Sequence, residues 1–204
     1  MSQKKSHHHG NLRAALVDAG LALVRDGGPD ALSIRKVAAA ANVSHAAPAH
    51  HFPTLAHLRT AVIAEGYRRF RAFMEEAIAQ APDTAHDRAL GACFGYLRFA
   101  RAYPGLFDLM FGTHAHDHED AELCAASDES YAVLARVSAP FAGNDPADTE
   151  LAIWSLVHGF ASLAVGGQKM LADQETAEAF FTRLFARLDL VETAPATPRP
   201  APEI

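Results

Sequence analysis

Residues 32–53 read LSIRKVAAAANVSHAAPAHHFP, and the fold turns on whether this stretch is one helix or two helices around a turn. Ser33 can cap a short helix whose apolar side is Ile34, Val37 and Ala38. Asn42 follows the alanine run, and asparagine enters the left-handed backbone region more cheaply than most residues with a side chain. A tight turn is therefore expected there, with Ser44 capping a second short helix. Pro48 falls at the fourth position of that helix, where it forfeits one hydrogen bond and crowds the preceding turn. The first turn is thus expected to be tight or partly 3₁₀, with Pro48 facing inward. Ile34, Val37, Ala38, Val43 and Phe52 can close a small shared core, which leaves Ser44, His45, Ala46 and His50 outside it.

Working outward, Leu12, Leu16, Ala19 and Leu23 form one apolar stripe on a helix that precedes this stretch and ends near Gly27-Gly28-Pro29. A longer helix followed by two short ones around a tight turn is the pattern of a helix-turn-helix DNA reader. Downstream, a long helix is predicted from Thr54 to Gln80, with Leu55, Leu58, Val62, Phe70, Phe73 and Ile78 inward and Pro82 as its stop. Further helices are expected over about 84–102, from Pro104 to Phe111, over about 119–138, from Pro146 behind Asn144-Asp145, and from Asp173 through Leu190. No stretch alternates apolar and polar residues, so the expected fold is all-α with about nine helices. The domains expected are a head over 1–53, a helical body over 54–190 and a proline-rich disordered tail over 191–204, which holds four of the eleven prolines.

The formal net charge of -6 would by itself argue against nucleic acid. Its distribution argues the other way. Residues 1–52 hold six basic side chains (Lys4, Lys5, Arg13, Arg25, Arg35, Lys36) and three acidic ones (Asp18, Asp26, Asp30), a balance of +3 that leaves -9 to the rest. Six of the twelve histidines also lie there, adding positive charge below roughly pH 6.5. No apolar run is long enough to span a membrane and no apolar signal core follows the first lysines, so a cytoplasmic protein without membrane partners is expected. Cys93 and Cys124 are the only cysteines, which suits core filling rather than a disulfide framework.

The stretches HHGNLRAALVDAGLALV (8–24) and LSIRKVAAAANVSHAAPAHHFPTLAHL (32–58) give the chain, over about residues 8–65, the look of the TetR family of one-component transcriptional regulators. YPGLFDLMFG (103–112) and WSLVHG (154–159) make the body resemble the family's tryptophan-histidine-glycine subtype. The resemblance implies a homodimer whose paired heads bind a near-palindromic double-stranded operator through successive major grooves, about 34 Å apart. A small effector in the body would then shift the long helix after the head and release the DNA, so that the protein acts as a repressor. The chain departs from the family at Ala49, where an aromatic residue is usual, and at Leu55, where a lysine is common. Both positions usually contact phosphate, and losing two such contacts lowers the salt slope by up to about two units.

The DNA-contact candidates are Arg13, Ser33, Arg35, Lys36, Ser44, His45, Ala46, His50 and His51. Arginine and lysine anchor phosphate without reading sequence, and imidazoles can meet phosphate or base edges. Phe94, Phe99, Phe107, Met110, Phe111, Trp154 and His158 are the candidate lining of a pocket for a largely apolar effector, with His158 or Trp154 supplying one orienting hydrogen bond. Ordinary core is the alternative for each, and for Trp154 and His158 the dimer face is another. His114, His116 and His118, set among Asp117, Glu119 and Asp120, could converge on a metal only if their backbone is extended; a solvated loop is the simpler expectation, and no cofactor is expected. No nucleophile elbow, phosphate-binding glycine loop or paired zinc-ligand motif occurs, so no enzyme is expected. The alternative to a regulator is a helical interaction protein that keeps the head's fold with little specific DNA binding.

Overall fold

The computed structural model describes residues 9–141 and 145–193, with side chains from Leu12 onward. The expectations for Lys4, Lys5, Asn144 and the tail beyond Thr193 lie outside these residues. Among them the chain is all-helical: α1 (His9–Gly27), α2 (Ile34–Ala40), α3 (Leu55–Gln80), α4 (Ala85–Ala102), α5 (Pro104–Phe111), α6 (Ala121–Ser138), α7 (Pro146–Val165) and α8 (Gln174–Phe185), joined by turns that include short 3₁₀ segments. The expected helix after Asn42 is the exception. It is a 3₁₀ turn over Ala47–His50, because Pro48 carries no amide to continue an α-helix there.

Helix ends follow local chemistry. The side chains of Ser33, Asp145 and Asp173 accept from the amides of Lys36, Ala147 and Thr176, so each satisfies a donor that helix geometry leaves open. Pro104 and Pro146 begin helices at positions where a missing amide costs nothing. Thr84 accepts from Asp87 N–H at 3.0 Å and returns its hydroxyl to the Asp87 carboxylate at 2.7 Å, closing α4's start from both sides. The last helix is shorter than expected. α8 gives way to a 3₁₀ turn at Ala186–Leu188, which ends in left-handed Asp189.

The chain divides into two compact units. The first holds the described residues up to Ala72 together with Phe99–Ser130. Leu16, Val24, Val37, Ala38, Leu58, Val62, Ile63, Phe99 and Leu109 are almost wholly buried in it. α1 packs on α2 and on α5; at Gly105 an added Cβ would lie 2.5 Å from the Val24 carbonyl oxygen, so only glycine admits this approach.

The second unit holds Phe73–Arg98 and the described residues from Tyr131. Ile153, Phe181 and Phe185 are its most deeply buried side chains. Phe181 meets Phe160 edge to face at 5.3 Å between centroids, while His86 meets Phe185 the same way, also at 5.3 Å. Arg98 forks onto Glu178 at 2.8 and 3.1 Å. Gly95 lets α4 lie against α3, since a Cβ there would sit 2.4 Å from the Phe73 carbonyl oxygen.

Candidate nucleic-acid interface

α2 is capped by the Ser33 hydroxyl, which accepts from Lys36 N–H at 3.2 Å. The cap leaves Arg35 and Lys36 exposed on the helix's outer side, where neither is paired with a carboxylate among the described residues that would compete with phosphate. Val37 and Ala38 face inward and are fully buried. Asn42 takes φ 54°, the left-handed conformation expected of it. Its amide bonds to Ala39 O at 3.1 Å and the next amide, of Val43, to Ala38 O at 3.0 Å, so the turn closes on the helix it leaves.

The segment that follows presents a short face. Ser44 does not cap it with its hydroxyl. Its carbonyl instead accepts from Ala47 N–H at 3.0 Å, and Ala46 precedes the 3₁₀ turn without any side-chain cap. Pro48 is buried as expected, and its carbonyl accepts from both His51 N–H at 2.9 Å and Phe52 N–H at 2.7 Å. Ser44, His45, Ala46 and His50 are therefore exposed together around an inward proline, while His51 is half-buried with its ring 6.4 Å from that of Phe52. Of the two positions that depart from the family pattern, Ala49 is exposed and Leu55 half-buried.

Arg13 has a different setting from Arg35 and Lys36. Its guanidinium lies 5.6 Å over the Phe52 ring centroid and bonds Glu122 Oε2 at 2.5 Å, while Arg68 holds Glu122 Oε1 at 2.7 Å. Burial raises the Glu122 carboxyl's affinity for a proton, but the hydrogen bonds and charges of Arg68 and Arg13 outweigh it and hold the group below the usual carboxylate range. Glu122 and Arg68 carry no signal within the head sequence, since Glu122 lies 109 positions from Arg13.

The candidate effector residues fall into two groups. Phe99, Phe107, Met110 and Phe111 belong to the first unit, where Phe111 contacts the rings of Phe107, Phe70 and Tyr67 at 5.0, 6.0 and 6.0 Å. Phe94, Trp154 and His158 belong to the second. There Tyr96, which sequence reasoning did not single out, places its hydroxyl 2.7 Å from His158 Nδ1. Burial pushes the His158 imidazole below its ordinary range, so its neutral ring can accept from the phenol. Trp154 is 40% exposed on the outer side of α7. A cleft of about 640 Å³ in this unit is lined by Glu75, Ile78, Asp83, Arg88, Arg136 and Pro140, none of which is among these residues.

The histidine loop sends its side chains to separate partners. His114 Nε2 stands 3.4 Å from Asp108 Oδ2, His116 Nδ1 bonds the His114 carbonyl at 2.8 Å, and the rings of His116 and His118 lie 4.0 Å apart. The loop folds on itself and is pinned by Asp117 N–H donating to the buried Thr60 hydroxyl at 2.9 Å. Among the described residues no group of three or more His, Cys, Asp or Glu could hold a metal ion. Nor is any helix among them long and apolar enough to cross a membrane.

A capped helix, a left-handed turn and a compact element with a polar outer face, carried on an otherwise all-helical chain, define the class of helix-turn-helix DNA-binding regulators. The comparisons agree on the family. Residues 16–62 match the bacterial regulatory proteins of the tetR family, and residues 88–188 match the tetracyclin repressor-like C-terminal domain. The chain belongs to the TetR family of transcriptional regulators. A protein of unknown function from Rhodococcus sp. RHA1 superposes with a TM-score of 0.75 at 28% identity, over 90% of this chain and 98% of that one. The transcriptional regulator FadR from Bacillus subtilis, solved in complex with stearoyl-CoA, superposes with a TM-score of 0.66 at 14% identity, over 86% of this chain and 96% of that one. The TetR family transcriptional regulator PfmR from Thermus thermophilus gives 0.61 at 19% identity, over 84% and 97% of the two chains. The last two likenesses speak to fold alone. No curated protein sequence matches significantly.

Proposed function

We propose that the chain is a cytoplasmic repressor that binds a near-palindromic operator as a homodimer and lets go when a small, largely apolar effector enters its body. The observation that carries this reading is the outer face of residues 33–50, where Arg35, Lys36, Ser44, His45 and His50 are exposed around a buried Val37-Ala38-Pro48 base. Cations there anchor phosphate, and the short side chains on the turn allow close approach to base edges.

A second copy is the partner that α7 suits. Leu151, Trp154 and Leu163 are 58, 40 and 54% exposed along the outer half of that helix, flanking Ser155, Gly159 and Ser162, and exposed apolar side chains of this size are costly to leave in water. For the effector, the support is the ring-rich α5 region and the hydrogen-bonded pair of Tyr96 and His158. FadR, which shares the fold, is described with stearoyl-CoA, which favours testing acyl chains first.

The test is selection of bound sequences from a random pool of duplexes, followed by titration of fatty acyl compounds against the selected site. Recovery of two related half-sites one helical turn apart, and their release by an acyl compound, is the expected result. Recovery of no common sequence would favour a helical interaction protein, a reading supported by the recognition element being a four-residue 3₁₀ turn instead of an α-helix.

A further inference from the structure

Six charged side chains form a chain of ion pairs that leaves α1 and returns to it. Arg13 pairs with Glu122, and Glu122 with Arg68. Arg68 reaches Glu65 at 3.4 Å, Glu65 holds Arg69 at 3.1 Å, and Arg69 stands 3.9 Å from Asp18, further along α1 than Arg13. Three cations and three carboxylates alternate, so the set is neutral. All six side chains are partly exposed, between 29 and 71%, so each link is individually weak.

Arg13 is the member that reaches the residues closing the recognition element. Its guanidinium covers Phe52, whose amide is bonded to the Pro48 carbonyl. A guanidinium presents the same fork to a carboxylate as to a phosphate, so the two ligands compete for it. Glu122 can release Arg13 at small cost, because Arg68 remains on its other oxygen.

We infer that Glu122 is an intramolecular competitor for DNA: it occupies Arg13 in the place of a backbone phosphate, and binding DNA hands Arg13 over. This rests on the DNA-binding reading above and adds the regulation of that site. Linkage makes the coupling reciprocal. DNA that draws Arg13 away loosens the start of α6, and whatever fixes the start of α6 against Arg13 weakens DNA binding by the same factor. The pinned loop before α6, held by Asp117 on Thr60, makes that start a defined position.

The experiment is a double-mutant cycle read by fluorescence anisotropy on a mixed-sequence duplex over a salt series, since phosphate contacts need no operator. Glu122→Gln is expected to tighten binding about two- to fivefold at low salt, the range an exposed ion pair supports. The gain should vanish in the Arg13→Gln background, and Arg13→Gln alone should lower the salt slope by about 0.9. Thermal melting guards against a structural cause, because a loosened fold would weaken binding. If Glu122→Gln does not fold, Glu122→Asp keeps the charge but shortens the reach to Arg13 and should also tighten binding. No gain, or an equal gain with Arg13 absent, overturns the competition while leaving DNA binding standing. No binding by wild type or Glu122→Gln at low salt overturns the DNA-binding reading and this inference with it.

Discussion

The turn at residues 44–50 and the outer side of α7 are both exposed, yet their chemistry is opposite. The turn shows hydroxyl, imidazole and methyl groups over a buried proline. α7 shows leucines and a tryptophan over a base of Ile153, Val157 and Phe160. Water tolerates the first and disfavours the second, so the two faces are suited to different partners, an anionic and hydrated one for the turn and an apolar one for α7. Exposure alone would not tell them apart.

The comparison breaks most visibly on α7. Trp154→Glu and Leu163→Glu are each expected to cost about 2 kcal/mol or more of self-association, roughly thirtyfold in dimer dissociation, because central apolar anchors dominate such interfaces. Sedimentation velocity over a dilution series reads this directly. A dimer untouched by both changes would place the interface elsewhere. Next in size, removing Arg35 and Lys36 together should lower the salt slope of DNA binding by up to about 1.8 and leave self-association unchanged. A slope that stays put would remove both side chains from the phosphate contacts.

Smaller effects sharpen the contrast between what each unit keeps inside. Tyr96→Phe deletes the bond to His158 and should cost about 1 kcal/mol in urea unfolding with an unchanged m-value. His158 has a folded value below its unfolded one, so its contribution is present above roughly pH 6.5 and is lost as pH falls through that range toward the folded value. Stability profiles of wild type and Tyr96→Phe between neutral and mildly acid pH check this. Smallest is Glu122, whose lowered value stabilises the fold above the ordinary glutamate range and is lost as pH drops through the folded value. Glu122→Gln should flatten the acid limb by well under about 1 kcal/mol, since water screens the partly exposed ions.

Much of this organisation can be read from the chain because it is local. Ser33, Asp145 and Asp173 cap helices whatever lies around them, and Asn42 makes its turn from its own backbone preference. Pro48 is legible as an inward plug, but not as the cause of an entirely 3₁₀ element. In an α-helix the Ser44 carbonyl would accept from residue 48, which has no amide, so it accepts from Ala47 instead and the turn tightens. The site is less legible. Arg13 carries the same charge as Arg35, and only a carboxylate far along the chain gives it a different role. Trp154 and His158 stand four apart on one helix, yet one meets solvent and the other Tyr96, a distinction set by packing that periodicity does not encode.

Pro48 has one more consequence, which concerns time and heat instead of shape. A ring-locked residue narrows the conformations open to the unfolded turn, and the buried ring with two amides on its carbonyl leaves the folded turn little to rearrange. A reader with little to rearrange loses less entropy when it meets DNA. Association by this head should therefore be fast and nearly free of the heat-capacity change that accompanies coupled folding, and its discrimination among sequences would lie in how quickly it leaves the wrong ones.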